Sequence, residues 1–186
     1  KSFASVGRKR LRWWIFSPLV IAKTRELIPS FWGGCEDDPR LKVVTRDVFQ
    51  VLGEMALRDC KVVVIVCDLT DLVDESFAPY AQAASAGLYT QDAMRLFADC
   101  LAEDGVFVAQ AQQLSSLGCA GHRRLRSVLK GLYPRVFSYR AFVEFFGWWQ
   151  GFLIAYKNPE WHFRRWSLPW ADETFAPVEV MLAGLH

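Results

Sequence analysis

Two carboxylates three positions apart, Asp68 and Asp71, follow directly on an apolar run in the segment KVVVIVCDLTD, Lys61 to Asp71. A carboxylate fixed at the end of a strand can take a proton from a nucleophile or hold a cation. The run Val62 to Val66 is unbroken, rich in β-branched residues and bounded by polar turn residues. It predicts a strand buried on both faces, inside a parallel sheet. In open α/β sheets ligands sit beyond the carboxyl ends of such strands, which places Asp68 and Asp71 at a candidate ligand site. Aspartate is also common in turns after strands, so the pair reads equally as turn residues.

The elements that must position these residues follow from the rest of the pattern. Arg12 to Phe16, RWWIF, predicts a strand. Ser17 is placed to cap a helix with Pro18 in its first turn, carrying Leu19, Ile21, Ala22 and Leu27 and ending at Pro29. The loop FWGGCEDDPR leads to a strand at Leu41 to Thr45, and Asp47 opens a helix with Val48, Val51, Leu52, Met55 and Ala56 at helical spacing. After Asp71 a long loop runs to Tyr89. Thr90 caps a helix over QDAMRLFADCLAEDG, and Gly105 begins the strand VFVAQ. His122 to Leu132 predicts a basic helix, with His122 solvated. Arg135 to Phe142 and Trp149 to Tyr156 are strands joined by a turn at Gly147. The tail, with Trp161, Phe163, Trp166 and Trp170, is expected to be irregular and to pack on the body, and His162 within it reads as a surface or packing residue. This order is a doubly wound α/β layout: a mostly parallel, Rossmann-like sheet closed by an antiparallel pair. Such a closing pair resembles the methyltransferase-type sheet. Three segments result: a basic arm over 1–12, the domain over 13–158 and a tail over 159–186.

A chain of 186 residues is long enough for one domain with a real core. Eight Trp, fourteen Phe and an apolar fraction of 52% exceed the average and point to a large core plus surface that a partner covers. The net charge of +2 gives no argument for nucleic acid, and no base-stacking module is present. Arg123, Arg124 and Arg126 read as a solvated helix face or a contact for an anionic partner. From Lys1 to Arg25 there are seven Lys or Arg and no acid, the pattern of a basic arm or of the remnant of an organellar targeting sequence. Position 1 is not Met, which implies processing or an incomplete chain. Five cysteines show no metal-ligand spacing, so free thiols in a reducing compartment, organellar (mitochondrial) or cytoplasmic, are expected. No apolar run reaches the length of a transmembrane helix.

Several stretches resemble the spermidine synthase family, the polyamine aminopropyltransferases. SPLVIAKTRELIPSFWGGCEDDPR is similar to the family's D-P-x-V-I-x-x-A-x-x-x-L-P-x-x-x-G-G-x-x-D-D-P-R. DPRLKVVTRDVFQVL, VVVIVCDLTD, GLYTQDAMRLFADCLAEDGVFVAQ and WWQGFLIAYKNPEWH follow in the family's order and spacing. The resemblance covers roughly residues 13 to 170. It implies that Asp68 is the base that receives a proton from the attacking amine and that Asp71 holds the ammonium. It also implies that Asp47 contacts the adenine of decarboxylated S-adenosylmethionine and that Gln110 lines the polyamine pocket.

The departures carry further expectations. The glycine-rich cofactor loop of the family, G-G-G-D-G-G, is absent. The acidic residue expected for the ribose falls near Ile15, and Ser17 replaces the aspartate before proline. Arg46 stands where the family has glycine, Leu72 where it has proline, and Phe145 near a pocket tyrosine. The first strand, which lies between the second and fourth in this layout, is missing with its loop. The sheet is then expected to have exposed backbone that an added strand, residues 1 to 11 or a rearrangement must pair. The expected outcome is a degenerate, catalytically inactive domain with no cofactor, serving as accessory subunit of a larger complex with other proteins. The alternative is an active aminopropyltransferase acting on putrescine with its front half supplied elsewhere. A related small-molecule methyltransferase is disfavoured by the DLTD loop.

Overall fold

The computed structural model describes residues 11–14, 17–69, 87–114 and 119–160. Ile15, Asp71, Leu72, His162 and the tail aromatics Trp161, Phe163, Trp166 and Trp170 lie outside the described residues. Cα packing divides the chain into two units, Lys1–Met55 and Ala56–His186.

In the first unit, strand β1 (Leu11–Trp14) pairs in parallel with β2 (Leu41–Val44), Leu11 opposite Leu41. A parallel pair needs a crossover, and helix α1 (Pro18–Leu27) supplies it, with Ser17 extended at its N-cap position and Pro18 in its first turn. Ser17 makes no side-chain capping bond. Of the expected apolar face only Ile21 is buried; Leu19 and Leu27 stand exposed. Gly33 and Gly34 both adopt left-handed backbone, φ 54° and 77°, which only glycine takes readily, and so turn the chain back toward β2. Helix α2 (Val48–Leu57) buries Val51, Leu52 and Met55, the spacing of one helical face.

The second unit holds a four-stranded sheet in the order β3-β4-β6-β5, formed by β3 (Val62–Cys67), β4 (Leu101–Gln113), β5 (Arg135–Val143) and β6 (Trp148–Tyr156). β3 and β4 are parallel, and β6 runs antiparallel to both of its neighbours. Gly147, at φ 70°, turns the β5–β6 hairpin. Helices α3 (Gln91–Asp99) and α4 (Ala120–Lys130) pack on the sheet. They bury Met94, Phe97, Leu125 and Leu129 with Phe107, Ala109, Leu153 and Ala155. Phe107 sits between Phe97 and Tyr133, with ring centroids 5.4 and 6.0 Å away. The fold is thus mixed α/β, with parallel and antiparallel strands. Its described strands form two sheets, β1-β2 and β3-β4-β6-β5.

Three expectations are corrected. β3 is not buried on both faces: Ile65 and Cys67 are buried, whereas Val63, Val64 and Val66 are 55%, 56% and 72% exposed. The reason is topological. Among the described residues β3 is an edge strand, and α3 and α4 cover one face of the sheet.

The second correction concerns the helix after Thr90, which ends at Asp99. The Cys100 amide closes onto Leu96 and Phe97, and the Cys100 carbonyl accepts from Val62 N at 2.9 Å. Leu101 is then already paired with Val62, and the ladder resumes at Val64 opposite Val106 after an irregularity. Gly105 makes that irregularity possible, because a Cβ there would lie 2.7 Å from the Ala102 carbonyl.

Third, His122 is buried rather than solvated, at 1% exposure. Its Nδ1 lies 3.2 Å from the Ala111 carbonyl, which can only accept, so Nδ1 carries the proton. Nε2, 3.0 Å from Ser138 Oγ, accepts from that hydroxyl.

Candidate functional site

A pocket of about 570 Å³ opens on the face of the second sheet opposite α3 and α4. Successive side chains of a strand point to opposite faces, so the residues that alternate with the buried core line it. Val66 and Asp68 come from β3 and its end, Val108 and Gln110 from β4, Gln150 and Phe152 from β6, and Tyr139 and Val143 from β5. Register aligns them. Gln110 is opposite Phe152, and Phe152 is opposite Tyr139. Cys67 pairs with Ala109, so Asp68 continues the same row.

The Tyr139 and Phe152 rings stack 4.9 Å apart and form the aromatic floor. Phe146, from the hairpin tip, forms part of the wall and stacks on Trp148 at 5.2 Å. Asp68 is the one charged residue among those lining the pocket, and it is exposed at the carboxyl end of β3. The neighbouring Cys67 is not a nucleophile in this setting. Burial, and then the adjacent Asp68 charge, push its thiol up to about 12, so it stays protonated. Burial likewise raises Tyr139, which remains a neutral phenol.

The sequence-derived site residues separate into two groups. Asp68 and Gln110 meet in this pocket, while Asp71 lies outside the described residues. Asp47 belongs to the first unit, where its Oδ1 accepts from the amides of Phe49 at 2.8 Å and Gln50 at 3.3 Å, capping α2. Arg46 beside it is held by Glu54 across one face of α2, Nη2 to Oε1 at 2.5 Å. The Asp-Pro-Arg turn before β2 is closed locally. Asp38 accepts from both the backbone and the guanidinium of Arg40, which holds its carboxyl at about 2. Asp47 thus spends one carboxylate oxygen on its own helix. Among the described residues no group of His, Cys, Asp and Glu could hold a metal ion, and no helix is long and apolar enough to cross a membrane. The cysteines Cys35, Cys60, Cys67, Cys100 and Cys119 are all free thiols.

Residues 18–165 match the family model described as the spermine/spermidine synthase domain. The chain belongs to the spermine/spermidine synthase family. Among curated relatives, the polyamine aminopropyltransferase 1 of Hyperthermus butylicus is 32% identical over 141 residues, covering 73% of this chain and 44% of the relative. A polyamine aminopropyltransferase of a Synechococcus species is 30% identical over 141 residues, covering 75% of this chain and 42% of the relative. The chain therefore spans less than half the length of these family members. Among solved structures, the spermidine synthase of Thermotoga maritima superimposes with a TM-score of 0.63 at 20% identity, covering 82% of this chain and 47% of that one. Human methyltransferase-like protein 13 does so with a TM-score of 0.58 at 17% identity, covering 84% and 64%. These two likenesses concern the fold, which the family shares with methyltransferases.

The pocket contains residues that the sequence reading did not single out: Tyr139, Phe146, Gln150 and Phe152. Period-two alternation in WWQGFLIAY could have found Gln150 and Phe152, because they alternate with Gly151 and Leu153 on the core face. Nothing local marks Tyr139, whose place depends on a register set across the hairpin.

Proposed function

We propose that the second unit is the amine-binding part of an aminopropyltransferase-type domain. In this chain it serves as a catalytically silent, accessory domain of a larger assembly. The observation that carries this reading is one carboxylate, Asp68, on the rim of a pocket otherwise lined mainly by apolar and aromatic side chains. An aliphatic amine has matching chemistry. Its ammonium is attracted to the carboxylate, its methylenes lie on Val66, Val108 and Phe152, and a ring face next to the cation adds a further favourable contact.

Catalytic silence is supported by Asp47 and Arg46, which the first unit engages in capping α2 and in the ion pair with Glu54. Cover by other subunits is supported by the exposed valines of β3 and the exposed aromatics of the hairpin tip, Phe145, Phe146, Trp148 and Trp149. Placement in an organelle such as the mitochondrion rests on the acid-free, basic segment Lys1 to Arg25.

The test is calorimetric titration of the chain with putrescine and spermidine, repeated with Asp68→Asn. Saturable binding that the substitution weakens at least ten-fold is expected. Equal binding to both proteins, or none to either, refutes the amine reading.

A second reading is favoured by the exposure of Asp68, for which no ion pair is found among the described residues. It is aminopropyl transfer from decarboxylated S-adenosylmethionine to putrescine, with Asp68 taking the proton of the attacking amine. Release of the thioether product from that donor by the purified chain would replace silence with catalysis and leave amine binding intact.

A further inference from the structure

Gln150 lines the same pocket, yet it is 4% exposed. The indole N–H of Trp148 reaches its Oε1 at 3.1 Å. An indole can only donate, so this contact fixes the orientation of the amide: oxygen toward Trp148, NH2 away from it. That Nε2 is buried and has no hydrogen-bond partner among the described residues. A buried donor left unmatched is rare in folded proteins and expensive to maintain. Here it belongs to a residue of a pocket wall. The rings next to it, Trp148 and the stacked Phe146, stand on the exposed hairpin tip rather than in the core. An occupant that reaches the amide must displace part of this exposed tip while leaving Trp148 on Oε1.

The placement of Gln150 relative to Asp68 then defines the occupant. On β6, Gln150 lies two residues from Phe152, on the same face and toward the hairpin. Because β6 is antiparallel to β4, that direction leads past Gln110 to Gln113, the last residue of β4, and beyond the carboxyl end of β3. Two strand spacings and two residue rises separate Gln150 from Asp68, on the order of 12 Å between Cα atoms. One end of the pocket therefore presents a carboxylate and the other an amide donor.

A plain diamine satisfies the first and not the second. Each of its ends is an ammonium, which donates and cannot accept, so its far end would leave Nε2 unmatched and place donor against donor. We infer that this pocket selects an amine whose far end carries an oxygen acceptor, such as a hydroxyl or carboxylate, with Asp68 holding the ammonium and Gln150 Nε2 donating to the oxygen. The inference rests on the amine-binding reading above and narrows its ligand class. Gln150 is the specificity-determining residue.

The experiment uses three four-carbon probes that differ only at one end: putrescine, 4-aminobutan-1-ol and 4-aminobutanoate. Each is titrated calorimetrically into the full chain. One of the two oxygen-bearing amines is expected to bind roughly ten-fold more tightly than putrescine, the scale of one matched hydrogen bond. Which of them leads separates a neutral from an anionic acceptor. Gln150→Glu keeps an oxygen for Trp148 and replaces the donor by an acceptor, so it should reverse the preference in favour of putrescine. Gln150→Met should remove the preference, and circular dichroism checks that both variants fold.

The inference is overturned if putrescine binds the unaltered chain as tightly as either oxygen-bearing amine while Asp68→Asn still weakens all three. It is likewise overturned if Gln150→Glu folds and leaves the ratios unchanged. If none of the three amines binds, the amine-binding reading falls and this inference falls with it.

Discussion

Replacing Gly151 by alanine tests how tightly the core face of the second sheet is built around His122. A Cβ at position 151 would lie 2.7 Å from His122 Nδ1, 2.9 Å from Leu114 Cγ and 3.1 Å from the Gln112 carbonyl. The backbone at 151 needs no left-handed conformation, so the whole effect comes from crowding. His122 cannot retreat freely, because Nδ1 donates to Ala111 and Nε2 accepts from Ser138. Overpacking of this kind costs about 1–3 kcal/mol, and loss of one of the imidazole hydrogen bonds adds about 1 kcal/mol. The expected destabilisation of about 2–4 kcal/mol lowers the melting temperature by roughly 5–15 °C for a chain of this size.

The assay is urea unfolding followed by circular dichroism on four proteins: the unaltered chain, Gly151→Ala, His122→Ala and the double variant. His122→Ala alone should cost about 2–4 kcal/mol through its cavity and the groups it leaves unpaired. In the double variant the new methyl occupies part of that space, so the two costs should fall short of additivity by about 1 kcal/mol or more. Strict additivity, or a Gly151→Ala variant as stable as the unaltered chain, would refute the packing argument.

Burial holds the pKa of His122 below its ordinary value of 6.5, which gives a pH dependence of known sign. Below about pH 6.5 the unfolded chain takes up a proton at this imidazole and the folded chain does not. Stability is therefore lost as pH falls through that region and regained as pH rises. Urea midpoints at pH 7.5 and 5.5 should differ by less in His122→Gln than in the unaltered chain, and an equal difference would show that His122 contributes nothing to the slope. At the start of α3, Thr90 Oγ1 accepts from the Ala93 amide at 3.2 Å. Thr90→Ala should cost about 1 kcal/mol, and thermal melting of the pair of proteins checks it.

Much of the element order was legible in the sequence because the signals were local. The β-branched run places β3, Thr90 caps α3 where its side-chain oxygen suggests, and Gly147 turns the hairpin. The end of α3 was not legible. LAEDG continues a helical pattern, and only the pairing of Leu101 with Val62, 39 positions earlier in the chain, ends it at Asp99. His122 looked solvated because its flanking arginines are polar. Its burial depends on Gly151 leaving room for the ring, a contact between residues 29 positions apart. For the site, Asp68 could be read from its place after an apolar run. Alternation along β6 could place Gln150 on the pocket face, but not its role, which depends on the bond that Trp148 makes to it.

The outer edge of β3 has no strand beside it among the described residues, and it carries three exposed valines. Unpaired amides along a valine-rich segment are a template for any extended chain that meets them, a second molecule of the same kind included. Held apart from whatever normally shields it, this polypeptide should clump as its concentration rises. A soluble preparation would then depend less on the buffer than on supplying a tenant for that edge.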